Sequence, residues 1–347
     1  MFNITFNDVK NTSHGKVQEC CDSLDIFFRD ADSDIITISD TVLCVVNAIF
    51  SIVAVFSNLI VLYALYKATS LNSTSKALLC SLAISDLGVG AIVQPLFVSY
   101  RWIQIRGNLP DACTVGIISH IVASHLSAVS FMTMIAVSID RLLALLLRVQ
   151  YQSAVTLRRV VIVLILIWIS GGLWAESWRR NQSTYSIISI IYIPVCLTLA
   201  FFSYLRIYLL LRKQACKMGR NVNPLKCIRK PNYMNFSRYK KSVTTMFCLF
   251  CAFLVSFLPY LAHKIAVAIS GWSTSTSVLF SVGLTMVFIN SSLNPIIYCW
   301  RIAEIKQIVL RLLFQCRGIS LSSGKAHGKA LFHSSRNQVQ ILPPEPR

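Results

Sequence analysis

Seven apolar runs, each long enough to cross a bilayer, decide what this chain can fold into. Read in windows of about 20 residues, they fall at 41–66, 75–99, 112–140, 160–178, 184–211, 243–268 and 277–300. Hydrocarbon offers no water to bond an open backbone, so such runs become helices that satisfy their own peptide groups. With 55% hydrophobic and only 14% charged residues, the 347-residue chain holds too much apolar surface for one soluble core. The expected fold class is an all-α membrane protein, a seven-transmembrane helix bundle followed by a short amphipathic eighth helix.

An odd number of spans puts the termini on opposite sides, and charge decides which is which, because Lys and Arg gather in loops that stay cytoplasmic. Ten basic residues from Arg212 to Lys241 lie between the fifth and sixth runs, and the tail after Tyr298 is also basic. The alternate loops offer mainly Arg101, Arg106, Arg179 and Arg180. The first 40 residues carry eight of the 14 acids, Asp8 to Asp40. This predicts a plasma-membrane, multi-pass protein with an extracellular acidic tail (1–40), a seven-span domain (41–300), a membrane-surface helix (301–316) and a cytoplasmic tail (317–347). The first span serves as signal anchor, since the polar stretch from Met1 to Lys10 has no apolar signal core. The net charge of +19 is that of a basic cytoplasmic face and calls for no nucleic acid.

The outer side carries glycosylation sequons at Asn3, Asn11 and Asn181. On the inner side, Asn223-Pro224 and Lys230-Pro231 break the segment 212–240 into a flexible loop. Beyond Trp300, apolar residues from Ile302 to Leu313 recur at helical spacing, and Cys316 directly after them is a candidate for lipidation.

Polar groups inside the spans mark function, because hydrocarbon tolerates them only against partners. Asp86 lies in the second run, and Asn58 and Ser130 lie in the first and third. The seventh reads Asn290-Ser-Ser-Leu-Asn294-Pro295-Ile-Ile-Tyr298, where the proline frees a backbone carbonyl. Two readings of Asp86 stay open: a sodium site built from Asp86, Ser130, Asn290, Ser291 and Asn294, or a protonated carboxyl in a structural network. At the inner end of the third run, Asp140-Arg141 is a charge pair at the membrane boundary.

Together these residues resemble the rhodopsin-like, class A G-protein-coupled receptors, in order and across all seven runs. The matches are Ser57-Asn58-Leu59-Ile60-Val61, Leu82-Ala83-Ile84-Ser85-Asp86, Asp140-Arg141-Leu142, Trp168, Pro194, Phe253 and Pro259, and Asn294-Pro295-Ile296-Ile297-Tyr298. The resemblance implies that Asp140 holds Arg141 at rest and that Tyr204 and Tyr298 support the open state. It implies that Pro259 and Pro295 supply kinks, and that Phe253 and Phe257 belong to the switch. Its implied partners are an extracellular ligand, a heterotrimeric G protein, arrestin and the lipid bilayer. It requires no cofactor beyond an allosteric sodium ion. Some resemblance extends to the melanocortin, adenosine and amine receptor branch.

Several positions depart from that pattern. Phe257 and Ser256 replace the family's usual tryptophan and cysteine, and Tyr204 lies two residues farther from Pro194 than expected. The loop from Ala175 to Ser186 has no cysteine, which leaves Cys20, Cys21 and Cys113 for any outer disulfide or leaves Cys113 free. The melanocortin receptors share the missing loop cysteine, so a peptide ligand stays open. Ala123 stands where amine receptors carry an aspartate, and Phe288 where opsins carry the retinal lysine. Tyr239-Lys240-Lys241 offers no acid to lock Arg141, so basal signalling is expected.

The outer ends of the spans supply Gln94, His120, Ser124, Tyr260, His263 and Lys264, with Ala123 and Phe288, as ligand-binding candidates. The nearby acids are chiefly Asp111 and Glu176. This balance suits a neutral or anionic small molecule better than an amine. A seven-helix ion or proton transporter or channel, with Asp86 as relay, and a non-amine chemosensory receptor are the alternatives. No nucleophile, base and orienting group converge by spacing, so an enzyme is not expected.

Overall fold

The computed structural model describes residues 34–69, 71–147, 150–220, 231–301 and 303–316. Seven of its helices are long and apolar enough to span a membrane: Asp34–Lys67, Ser73–Ile105, Pro110–Leu147, Leu157–Arg180, Ser183–Leu210, Phe250–Ser270 and Thr274–Cys299. A short helix, Ala303–Cys316, follows them. Sequential spans pack side by side, the seventh closes on the first, and the third touches the second, fourth, fifth and sixth. In the compact unit Met1–Val309 these helices form the bundle. Of the second unit, Leu310–Arg347, only the end of the last helix is described.

The apolar periodicity has two uses. On the first helix Ile35, Ile38, Val42, Val45, Ile49, Ile52 and Phe56 recur every three or four residues and are exposed, a stripe suited to lipid. The opposite face buries Asp40, Asn47, Asn58 and Val61 against the second and seventh spans. The second span widens into a π-helical turn, Val89–Val93, just before Pro95. There Gly90 lets the first span approach so closely that an added Cβ would lie 2.7 Å from Ala54 Cβ. Ser51 donates to the Gly90 carbonyl at 2.7 Å across that contact. Gly283 plays the same part where the seventh span meets the sixth at its proline, with a Cβ position 2.9 Å from the Tyr260 backbone.

Pro295 has no N–H, so the carbonyl of Ser291, four residues earlier, lacks its helical donor. Asn58 supplies one, its Nδ2 donating to Ser291 O at 3.0 Å and to Ala54 O at 2.9 Å. Asn58→Ala should therefore lower stability by about 1–3 kcal/mol, the penalty for orphaning a buried carbonyl. Thermal unfolding of the purified protein measures it, and an unchanged midpoint would mean that Ser291 finds another donor.

Several boundaries differ from the sequence expectation. The first helix starts at Asp34, so Asp40 belongs to it and not to the tail. The fifth helix runs from Gln182 to Arg220 and the sixth from Pro231, so prolines expected to break the cytoplasmic loop leave only 221–230 outside the described residues. Proline suits the first helical position, where its missing N–H bonds nothing anyway, and Pro231 occupies it. On the outer side, Asn181 is the one residue between the fourth and fifth helices. In the last helix Ile305 is buried, Ile308 and Val309 pack on the core, and Glu304 accepts the Thr69 N–H at 2.7 Å.

Candidate functional site

Three polar levels occupy the interior of the bundle. The outermost is a cavity of about 780 Å³ lined by the third to seventh spans and by Phe97 and Tyr100 of the second. That is drug-sized, within the roughly 300–1,000 Å³ of ordinary ligand pockets. His120, Ala123, Ser124, Tyr260, His263, Lys264 and Phe288 all line it. Gln94 does not. It is fully buried and donates to Asn47 Oδ1 at 3.3 Å, while Asn47 donates to Thr285 Oγ1 at 2.9 Å. The seventh span's Thr285 and the first span's Asn47 draw Gln94 into a network between helices.

The candidates that line the cavity have distinct local roles. His120 stacks on Trp178, with ring centroids 4.0 Å apart, and its Nδ1 meets Ser124 Oγ at 3.1 Å. His263 places Nδ1 2.9 Å from the Thr276 carbonyl. A carbonyl only accepts, so this nitrogen carries the proton and the ring ties the sixth span to the seventh. Lys264 donates to Ser186 Oγ at 3.3 Å and lies over the rings of Tyr185 and Tyr260, 5.4 and 5.6 Å from their centroids. Neither predicted acid reaches the cavity lining. Asp111 takes the Asn108 amide at 2.8 Å, and Glu176 pairs with Arg179 and Arg180.

The floor is aromatic. Phe257 lines the cavity, stacks on Phe253 at 4.8 Å and meets Phe131 at 5.3 Å. Ser256 turns away, donating to Ala252 O at 2.8 Å.

The middle level centres on Asp86, which is fully buried. Its Oδ2 accepts from Asn294 Nδ2 at 2.7 Å and its Oδ1 from Ser130 Oγ at 3.4 Å. Ser85 adds a hydroxyl 2.8 Å from Ser130. Among the described residues the side-chain carbonyl oxygens of Asn58, Asn290 and Asn294 are buried without a hydrogen-bond donor. One carboxylate, hydroxyls and unbonded amide oxygens are the donor set that a hard monovalent cation takes, so the residues fit sodium.

The inner level holds the charge pair. Arg141 donates through Nε to Asp140 Oδ2 at 2.9 Å, and its Nη2 contacts both Asp140 and Ser75. Asp140 Oδ1 accepts the Tyr151 hydroxyl at 2.5 Å. Burial and then the bond to Asp140 push the Tyr151 phenol above its ordinary value, so it stays a neutral donor near pH 7. Ser138 donates to Tyr204 Oη at 2.9 Å. Tyr204 is buried and Tyr208 exposed, so Tyr204 is the one turned towards this level despite its unusual spacing from Pro194. The Tyr298 hydroxyl is buried with no hydrogen-bond partner among the described residues. Side chains at Tyr239, Lys240, Lys241 and Cys316 lie outside the described residues, as do Asn3 and Asn11. Asn181 is exposed, and its Oδ1 accepts the Thr184 N–H at 2.9 Å. Cys113 is disulfide-bonded.

One polar group escaped sequence reasoning. Arg101, expected in an outer loop, is a buried residue of the second span that pairs with Asp40 at 3.3 Å. It also donates to Ser281 at 2.7 Å and Gln104 at 2.9 Å, joining the first, second and seventh spans. Asp40, Arg101 and Ser281 carry no shared motif, and only their helical phase could have suggested that they meet.

The family model described as 7 transmembrane receptor (rhodopsin family) matches residues 57–176 and 174–298. The chain is 25% identical over 305 residues to adenosine receptor A3 of Canis lupus familiaris, covering 80% of this chain and 92% of that receptor. It is 23% identical over 297 residues to adenosine receptor A3 of Bos taurus, covering 78% and 89%.

Proposed function

Because the chain belongs to the rhodopsin family of seven-transmembrane receptors, we propose that a ligand in its outer cavity opens the inner face to a heterotrimeric G protein. The family is one of signalling receptors and not of enzymes, and a transporter reading of Asp86 has no place in it. The observation that carries the mechanism is the packed column beneath the cavity. Phe257 stacks on Phe253 at 4.8 Å, Phe131 meets Phe253 at 5.8 Å, and further along the sixth helix Phe250 packs on Tyr204 of the fifth at 5.2 Å. A ligand pressing on Phe257 moves the sixth span about Pro259, and Pro295 gives the seventh a second hinge. Asp140 releases Arg141, and Tyr204 and the unbonded Tyr298 hydroxyl take new partners. The ligand favours the open state by its differential affinity for it.

The ligand is a neutral or anionic small molecule, with a peptide as the second class; the single-residue connection at Asn181 forms no covering loop between the fourth and fifth helices. Asp86, Ser130, Asn290, Ser291 and Asn294 would hold a sodium ion, whose positive charge would favour the closed packing. The receptor lies in the plasma membrane with its N-terminus outside, Asn3, Asn11 and Asn181 glycosylated and Cys316 acylated, and arrestin shares its inner face. Cells expressing the chain, screened with neutral and anionic small molecules, adenosine and peptides against sensors for each G-protein class, test this reading. A ligand-dependent response is expected; silence across all sensors, basal and stimulated, contradicts it.

The resting pair gives a smaller test. Tyr151→Phe removes one bond to Asp140 and should raise basal nucleotide exchange about fivefold, equivalent to the roughly 1 kcal/mol net contribution of a hydrogen bond. A basal rate equal to wild type would exclude Tyr151 from the resting state.

A further inference from the structure

We propose that the outer cavity takes a ligand with one anionic group on an apolar body, and that Lys264 is its counter-ion. This rests on the receptor reading above and adds the chemical class of the ligand.

The charge inventory carries the argument. Among the described residues Lys264 is the one Lys or Arg that lines the cavity, and no Asp or Glu lines it. Among the described residues no carboxylate lies within 4.0 Å of its ammonium, whose contacts are the Ser186 hydroxyl and the faces of Tyr185 and Tyr260. An ammonium has three donors, and the described contacts use one. Aromatic faces soften the desolvation of a cation without neutralising it. An added negative charge meets full Coulomb attraction in so apolar a place, together with the hydroxyls of Ser186 and Tyr185. A cationic amine meets repulsion instead and finds no acid at Ala123.

The geometry also sets the ligand's length. Phe257 of the floor lies seven residues before Lys264 on one helix, two turns away on the same face, or about 10 Å at 1.5 Å per residue. Both side chains line the cavity. Phe131, Ile193, Leu284 and Phe288 complete an apolar wall between them. A head bound at Lys264 thus extends an apolar body of about 10 Å onto Phe257, the ring that begins the packed column. In this reading Lys264 fixes the register and the body does the pressing.

The test uses the full chain in lipid nanodiscs with three matched probes: ω-phenylhexanoate, its methyl ester and ω-phenylhexylamine. Half-saturating concentrations are read from the rise in unfolding temperature. The acid is expected to bind about tenfold more tightly than the ester or the amine, as a charge-assisted hydrogen bond predicts. Lys264→Met should abolish that preference and Lys264→Arg should keep it. Equal responses to the three probes, none included, or an acid preference that survives Lys264→Met overturn the assignment. If neither variant folds, the wild-type comparison of the three probes decides. Nucleotide exchange on a G protein, compared between wild type and Arg141→Ala in the same discs, separates the two ideas. Exchange with no acid preference removes only the anion assignment, whereas absent exchange removes the receptor reading.

Discussion

Asp40→Ala is expected to destabilise the bundle by about 3 kcal/mol or more, the usual consequence of breaking a buried ion pair from one side. Arg101 and Asp40 have side-chain exposures of 4% and 5%, so water cannot replace the lost carboxylate. Ser281 and Gln104 continue to accept from the guanidinium, and the Phe97 and Tyr100 rings flank it at 5.4 and 5.2 Å. None of these carries a negative charge. The first span then loses its ionic attachment to the second at the outer end. Asp40→Ala/Arg101→Leu should recover most of the loss, since it removes the stranded charge as well as its partner. Thermal unfolding of the purified protein measures both. An unchanged midpoint for the single variant, or a double variant no better than the single, would contradict this account of the outer network.

That network shows where the sequence was legible and where it was not. Span number, topology and the inner motifs were readable because hydrocarbon demands long apolar helices and because Asp86, Asn294 and Asp140-Arg141 stand out at membrane depth. Helical pattern gives faces, and it gives partners only when a motif fixes both sides. Arg101 sits near the end of an apolar run, so its charge placed it in a loop, yet its helix continues to Ile105 and buries it. Asp40 was assigned to the tail for the same reason, six residues after the helix begins at Asp34. Gln94 has the polarity of a ligand contact, yet directly after the widened turn and before Pro95 it donates to Asn47. Lys230-Pro231 reads as a break in a continuous helix, and the sixth helix begins at Pro231, where a missing N–H bonds nothing. The proline in the seventh span announced a freed carbonyl from the sequence, and the structure shows that Asn58 is its donor, at Ser291.

The second large effect is functional. Arg141→Ala is expected to lower basal and ligand-driven nucleotide exchange by about tenfold or more, in the range that couples distant sites in one protein. At rest Arg141 is held by Asp140 and Ser75, and Asp140 in turn by Tyr151. In the proposed mechanism the variant deletes the group that leaves this cluster for the G protein, and it keeps the cavity and the Asp86 level intact. Its fold should therefore survive, with probe binding in the outer cavity near wild type. A shared loss of binding and exchange would indicate misfolding and would be visible in the same preparation.

GDP release from a purified heterotrimeric G protein, with wild type or Arg141→Ala in nanodiscs, tests the central claim most directly. The sequence at the inner end of the sixth run, Tyr239-Lys240-Lys241, holds no acid, and wild type is expected to accelerate release with no ligand added. Arg141→Ala should fall to the rate of empty nanodiscs. Equal rates for wild type and Arg141→Ala, across G proteins of every class, would contradict the account.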